Sequence, residues 1–122
     1  MNFINNTQKD RLKQLFHEDR THHSDKERQA LFYIIAGNDD LWMKRYVIYN
    51  IKEQRIITKC FESVDFSSGI KVLVSLGFNL YNNFHTEDTD TRFIDLIGTL
   101  DQDNFILAIN AIMVRRYGIQ ID

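Results

Sequence analysis

The sequence contains no proline and only five glycines among its 122 residues. These residues are the commonest breakers of regular structure, and a turn-rich β-sandwich uses them at many of its turns. Their scarcity therefore disfavours that class of fold and favours a helical one. The hydrophobic share of 43%, which includes nine phenylalanines and five tyrosines, supplies enough apolar surface for a folded core.

Cysteine is nearly absent as well, and Cys60 alone cannot form an internal disulfide. The sequence has no run of about 18 apolar residues and no basic leader followed by an apolar stretch. We therefore predict a cytoplasmic protein without a membrane partner. A length of 122 residues is typical of one folding unit, so we expect a single helical domain over residues 1–122.

Apolar residues at helical spacing indicate helices near residues 8–19, 25–36, 40–50, 68–82, 93–97 and 102–116. Side chains that can cap a helix precede these segments: Thr7, Ser24, Asn38 or Asp39, Ser67 or Ser68, and Asp101. Gly37 fits the residue that ends the second helix. Residues 52–64 have no clear pattern, although Arg55–Thr58 is compatible with a short strand. We predict a compact all-α domain of about five or six helices, with at most one short strand or hairpin near residues 46–61.

The fourth and last of these helices are apolar on nearly all sides, which is typical of buried helices. The fourth has only a narrow polar stripe, formed by Lys71, Ser75, Asn79 and Asn82. We therefore expect six of their side chains to lie inside the protein: Leu73, Leu76, Leu80, Phe105, Ile109 and Ile112.

The charges are unevenly distributed, although the net charge is only −2. Residues 1–59 carry 11 Lys and Arg against 8 Asp and Glu, whereas residues 60–122 carry 4 against 9. We name residues 82–104 the acidic segment because they contain one cation, Arg92, and six acids: Glu87, Asp88, Asp90, Asp95, Asp101 and Asp103. A surface of this kind attracts basic proteins rather than nucleic acids. The alternative interpretation is a solvated loop that only increases solubility.

Two other groups of polar residues are candidates for chemistry. One contains metal-ligand types after the first helix, namely His17, Asp19, His22 and His23. No cysteine lies near them and their spacing matches no known zinc site, so solvated histidines are the favoured interpretation. The other is Asp39 with Asp40, which could bind a metal or act as acid and base. Helix capping explains this pair without any chemistry.

Several segments resemble a small uncharacterised bacterial family found in Gram-positive bacteria and their mobile elements. The longest is DKERQALFYIIAGNDDL at residues 25–41, and shorter ones are SSG at 67–69, FNLYN at 78–82, DNF at 103–105 and AINAI at 108–112. The resemblance covers most of the chain. It implies one domain and a bacterial or phage source, and it implies no catalytic residue.

These observations predict a non-enzymatic protein-interaction module that binds through an acidic surface. Small acidic proteins of mobile elements are often inhibitors of host defence, so the leading hypothesis is an anti-CRISPR-like inhibitor of a host nuclease or another nucleic-acid-handling protein. The predicted partner-binding residues are Glu87, Asp88, Asp90, Asp95, Asp39 and Asp40. We predict no catalytic residue, metal, cofactor or direct nucleic-acid partner. The alternatives are a small metal-dependent or hydrolytic enzyme that uses Asp39, Asp40 and the histidines, and a helical DNA-binding regulator.

Overall fold

A computed structural model describes residues 5–121, which form eight α-helices and one two-stranded antiparallel hairpin. The longer helices are α1 (Asn6–Asp19), α2 (Lys26–Ala36), α6 (Ser68–Asn82) and α8 (Gln102–Tyr117). The shorter elements are α3 (Asp39–Met43), α4 (Arg45–Ile48), β1 (Tyr49–Asn50), β2 (Arg55–Ile56), α5 (Cys60–Ser63) and α7 (Phe93–Thr99). The all-α prediction is confirmed. Among residues 5–121, no helix combines the length and the apolar character that crossing a membrane requires.

Helix α2 lies at the centre of the core, and α1, α6 and α8 pack around it. Every residue from 29 to 36 is buried, so the last eight residues of this helix have no solvent-facing side. At its end, Gly37 approaches Gln8 of α1 and Leu107 of α8. Near its start, Gln29 accepts a hydrogen bond from the segment that follows α8. Both α1 and α8 therefore run antiparallel to α2.

The predicted capping residues are confirmed at three helices, α3, α6 and α8, where the caps are Asn38, Ser67 and Asp101. They are wrong at α1 and α2. Helix α1 begins at Asn6, and the side chain that accepts from its first turn belongs to Asn5 instead of Thr7. Helix α2 is capped by Asp25 instead of Ser24. Asn is a stronger cap than Thr, and Asp25 also binds the Arg28 side chain, which a serine would not do as strongly.

Gly37 ends α2 as expected, but for a different reason. Its φ of −90° lies outside the left-handed region that favours glycine, so backbone conformation does not select it. A Cβ atom at this position would lie 2.7 Å from Gln8 Nε2 and would overlap the Leu107 side chain. Glycine therefore leaves room for the buried ends of the Leu107 and Gln8 side chains, which a larger residue would have to displace where three helices come close together.

The helix expected over residues 40–50 is divided, which is one reason why the helices outnumber the expected five or six. Helix α3 ends at Met43, α4 follows after Lys44, and the chain then extends into β1. Strand β1 pairs with β2, so that Tyr49 lies opposite Ile56. The predicted hairpin is confirmed. The helix predicted over its first strand is wrong because two residues are too few to show an alternating pattern, and the chain bends here with Ile48 and Tyr49 both buried.

Five of the six side chains predicted to lie inside do contact the core. Leu73 and Leu76 are buried, and Leu80, Phe105 and Ile112 pack against the core from partly exposed positions. Ile109 is 38% exposed, so the prediction is wrong at this position. Only one face of α8 packs on α2 and α6, and its buried residues are Leu107, Ala108, Ala111 and Val114. The opposite face is apolar in sequence but faces solvent.

Candidate partner-binding site

Four of the six predicted partner-binding residues lie around one cavity. The cavity has a volume of about 520 Å³, and it is formed by the first half of α6, the loop before α7 and one side of α7. Its acidic lining residues are Glu87, Asp88, Asp90 and Asp95. We name this cavity the acidic pocket.

The loop that supplies three of these carboxylates is held in place by its own side chains. Thr89 is buried, and its Oγ1 accepts a hydrogen bond from the Thr86 backbone N–H at 3.0 Å. The two threonine hydroxyls are also within hydrogen-bond distance, at 2.7 Å. Phe84 anchors the start of the loop by packing its ring edge-on against α6. Glu87 and Asp88 therefore project from a closed turn, which reduces the entropy lost when a partner orders them.

Two cations also line the acidic pocket. Arg92 forms an ion pair with Asp95, with 3.3 Å between Nε and Oδ2. Lys71 extends from α6 at the boundary between this pocket and the neighbouring one, which is bordered by α5. Four carboxylates against two cations leave the lining with a net charge of −2. Arg92 is already paired, so the three loop carboxylates dominate the potential that an incoming group meets.

Hydroxyl groups complete the lining. Ser75 is only 5% exposed and faces the pocket from α6. Thr91 Oγ1 is buried and has no hydrogen-bond partner among residues 5–121. A buried polar atom without a partner costs about 1–3 kcal/mol. Carboxylates and hydroxyl oxygens together suit a ligand that donates hydrogen bonds and is positively charged, such as a lysine ammonium or an arginine guanidinium.

Two of the pocket residues could be recognised from the sequence. Lys71 and Ser75 are one helical turn apart in the polar stripe of α6, and the structure confirms that they share a face. The sequence predicts this stripe as the polar border of a buried helix, whereas in the structure its first two residues, Lys71 and Ser75, line the acidic pocket. Thr91 gave no signal, because neither its burial nor its lack of a partner can be recognised from neighbouring residues.

Asp39 and Asp40 do not line the acidic pocket. Asp39 Oδ1 accepts a hydrogen bond from Arg11 at 2.7 Å, and Asp40 Oδ2 accepts one from Lys44 at 3.0 Å. Both carboxylates lie in the first turn of α3, where they also interact favourably with the helix dipole. The structure therefore separates this pair from the other four predicted residues.

The histidines are not brought together with these aspartates. His22 and His23 precede α2 and Asp39 follows it, so the two groups are separated by a helix of about 16 Å. His22 Nδ1 instead lies 2.7 Å from the Ser24 hydroxyl. In the part of the chain that the structure describes, no three His, Cys, Asp or Glu side chains are placed to hold a metal ion.

Comparison with known proteins assigns the chain to a family. Residues 1–121 match a family of unknown function, DUF6075. The chain belongs to this family. No curated protein and no solved structure matches it. The expected membership of an uncharacterised family is thereby confirmed. Because the function of DUF6075 is unknown, the match assigns no activity to the acidic pocket.

This DUF6075 member also contains a buried network that the sequence did not reveal. The Asp19 side chain is fully buried and accepts hydrogen bonds from the hydroxyls of Tyr49 and Thr21, each at 2.6 Å. Arg28 Nε donates to the Tyr49 hydroxyl at 2.9 Å and lies 3.7 Å from Asp19. Burial, together with the hydrogen bond to Asp19, raises the pKa of Tyr49. Asp19, a candidate metal ligand in the sequence, thus serves as a hydrogen-bond acceptor inside the protein.

Proposed function

We propose that this DUF6075 member is a non-enzymatic protein-interaction module that binds a basic protein through the acidic pocket. The observation that carries this proposal is the convergence of Glu87, Asp88, Asp90 and Asp95 on one cavity with a closed loop. Carboxylates on a rigid scaffold can occupy a surface that otherwise binds phosphates. Their potential also increases the rate at which a basic partner is encountered.

The most specific form of the proposal is an inhibitor from a phage or mobile element of a Gram-positive bacterium. Its target would be a host nucleic-acid-handling or defence protein, such as a CRISPR nuclease. Two points support this form: the expectation, from residues 25–41, of a family found in such elements, and an acidic lining of the kind that a phosphate-binding surface would attract. An inhibitor of this kind competes with nucleic acid, so the partner should lose nucleic-acid binding when the complex forms.

The test begins with affinity capture of a partner from a lysate of a Gram-positive host, followed by calorimetric titration of the purified partner. Glu87→Gln, Asp88→Asn and Asp90→Asn together remove the three loop carboxylates. We expect this triple variant to bind about tenfold more weakly than wild type and to show a smaller dependence of Kd on salt. All three side chains are exposed, so the free energy of unfolding should change by less than about 0.5 kcal/mol.

Asp39→Asn with Asp40→Asn is the control, because it removes negative charge away from the acidic pocket. If this control weakens binding as much as the triple variant, net charge rather than the pocket is responsible. A triple variant that binds the isolated partner as tightly as wild type at both low and moderate salt would show that the acidic loop only aids solubility. Tight, salt-dependent binding of the isolated protein to DNA would support the helical DNA-binding regulator instead.

A further inference from the structure

Helix α8 has an apolar surface on the side that faces away from the core. Four of its large side chains are between 38% and 70% exposed, namely Ile106, Ile109, Met113 and Tyr117. Successive residues of an α-helix are rotated by about 100°, so these four fall within an arc of about 80°, roughly opposite the buried side of α8. Adjacent exposed apolar residues of this kind mark interaction sites. We name these four residues the α8 outer face.

The two ends of α8 carry opposite charges. Asp101 and Asp103 are exposed at its beginning, and Arg116 is exposed in its last turn. Arg115 already pairs with Glu27 of α2, with 3.4 Å between Nη2 and Oε1. Among residues 5–121, Asp103 and Arg116 form no ion pair. Both charges are therefore available to a neighbouring molecule.

We propose that two copies of this chain associate through the α8 outer face, with their α8 helices antiparallel and related by a two-fold axis. An interface of this symmetry requires a surface that is complementary to itself. The apolar middle of the α8 outer face then meets its own copy. The antiparallel orientation places Arg116 of each copy at the end where the other copy has Asp101 and Asp103, and it also pairs opposite ends of the two helix dipoles.

The charges disfavour other arrangements of this surface. A parallel pair of α8 helices would place the acids of one copy beside the acids of the other, and like charges repel. An anionic lipid surface would be repelled by Asp101, by Asp103 and by the rest of the acidic segment. A second copy in the antiparallel orientation matches both the apolar middle and the charged ends.

The proposed contact is small. Residues 106 to 117 extend over about 16 Å, which is about three turns of each helix. A contact of this length is small beside the standard interface of about 800 Å² per partner, so we expect a Kd on the order of 10 μM. The inference is independent of the proposed function, because the α8 outer face does not line the acidic pocket. A dimer would present two acidic pockets, which strengthens binding to a partner with two basic sites.

The first test is sedimentation velocity of the full chain at about 1 to 200 μM, where wild type should pass from monomer to dimer. Ile106→Ser with Met113→Ser should raise the Kd of the dimer at least about tenfold. Val47→Ser is the matched control, because Val47 is 45% exposed on α4, and it should associate like wild type. Circular dichroism and urea unfolding verify that each variant is folded. Tyr117→Ser gives an independent measurement if the double variant loses helix content, since Tyr117 is 70% exposed.

The second test concerns the orientation of the two helices. Arg116→Glu is one charge variant, and Asp101→Asn with Asp103→Lys is the other, in which asparagine preserves the helix cap. Each alone should raise the Kd about tenfold, because every charged contact then joins like charges. In an equimolar mixture, the introduced acid of one variant faces the introduced base of the other. We therefore expect the mixture to associate to within about threefold of wild type.

The outcomes that overturn the inference are distinct from those that overturn the proposed function. A wild-type protein that stays monomeric up to about 200 μM would leave the α8 outer face to another protein and overturn the inference. A dimer that the double variant leaves intact, or that Val47→Ser weakens equally, overturns it as well. Charge variants that associate like wild type, or a mixture that restores nothing, would show that the antiparallel arrangement is wrong. The triple variant of the acidic loop should form the dimer like wild type, whatever its effect on binding a basic partner.

Discussion

Replacing Tyr49 by phenylalanine removes one hydroxyl from the buried network and preserves the packing around it. The ring still packs edge-on against Phe32, with 4.9 Å between centroids. The variant loses the bond to the fully buried Asp19 and the bond from Arg28. A hydrogen bond to a charged group contributes about 1.5–3 kcal/mol, and a buried carboxylate that loses a donor keeps its full desolvation cost. We therefore expect Tyr49→Phe to lower the free energy of unfolding by about 2–3 kcal/mol.

Tyr46→Phe provides the control, because it makes the same chemical change at the surface. Tyr46 is 50% exposed, and its hydroxyl donates to Glu18 at 2.8 Å. Water can replace this bond, so we expect a loss below about 1 kcal/mol. Both variants are compared with wild type by urea unfolding with linear extrapolation, using the fluorescence of Trp42. If Tyr49→Phe costs no more than Tyr46→Phe, the argument that the buried network stabilises the fold is wrong.

The free energy of unfolding of wild type and of Tyr49→Phe should also depend differently on pH. The pKa of Tyr49 is raised in the folded state above its ordinary value of 10.0, so the folded protein keeps a proton that the unfolded chain releases. The stability from this difference is complete below about pH 10 and is lost as the pH rises toward the folded pKa. Above about pH 10, the free energy of unfolding of wild type should fall more steeply than that of Tyr49→Phe, by up to about 1.4 kcal/mol per pH unit. Equal slopes would contradict the burial of this hydroxyl.

Two further predictions concern the core. Burial raises the pKa of the Cys60 thiol to about 12. A thiol reagent at pH 8 should therefore label the native protein far more slowly than the urea-unfolded chain. Equal labelling rates would place the thiol at the surface. Leu107→Ala should lower the free energy of unfolding by about 2–5 kcal/mol, because that side chain is fully buried on α8. Ile109→Ala should lower it by less than about 2 kcal/mol, because Ile109 is partly exposed. Both losses are measured by urea unfolding. Similar losses at both positions would show that both sides of α8 are covered.

The features that the sequence predicted correctly are local ones. Asn38, Ser67 and Asp101 cap helices because each side chain bonds to a backbone amide three residues further along, so both partners are visible in one short segment. Lys71 and Ser75 share a face because they are four residues apart, which is about one turn of a helix. The acidic loop was recognisable because charge is a property of composition. That its carboxylates surround a cavity was not, since α6 and α7 must first be placed on either side of it.

The remaining features depend on residues that are distant in the chain. Gly37 lies against the Leu107 side chain, which is 70 positions away in the sequence. The buried Asp19 accepts its hydrogen bond from Tyr49, which is 30 positions away. Ile109 and Leu107 are equally apolar in sequence, and only the position of α2 decides which of them is covered. Local pattern therefore determined which segments are helices and where their polar stripes run. Tertiary packing decided which apolar faces are buried, since a helix that is apolar all round has no preferred side until its neighbours are in place.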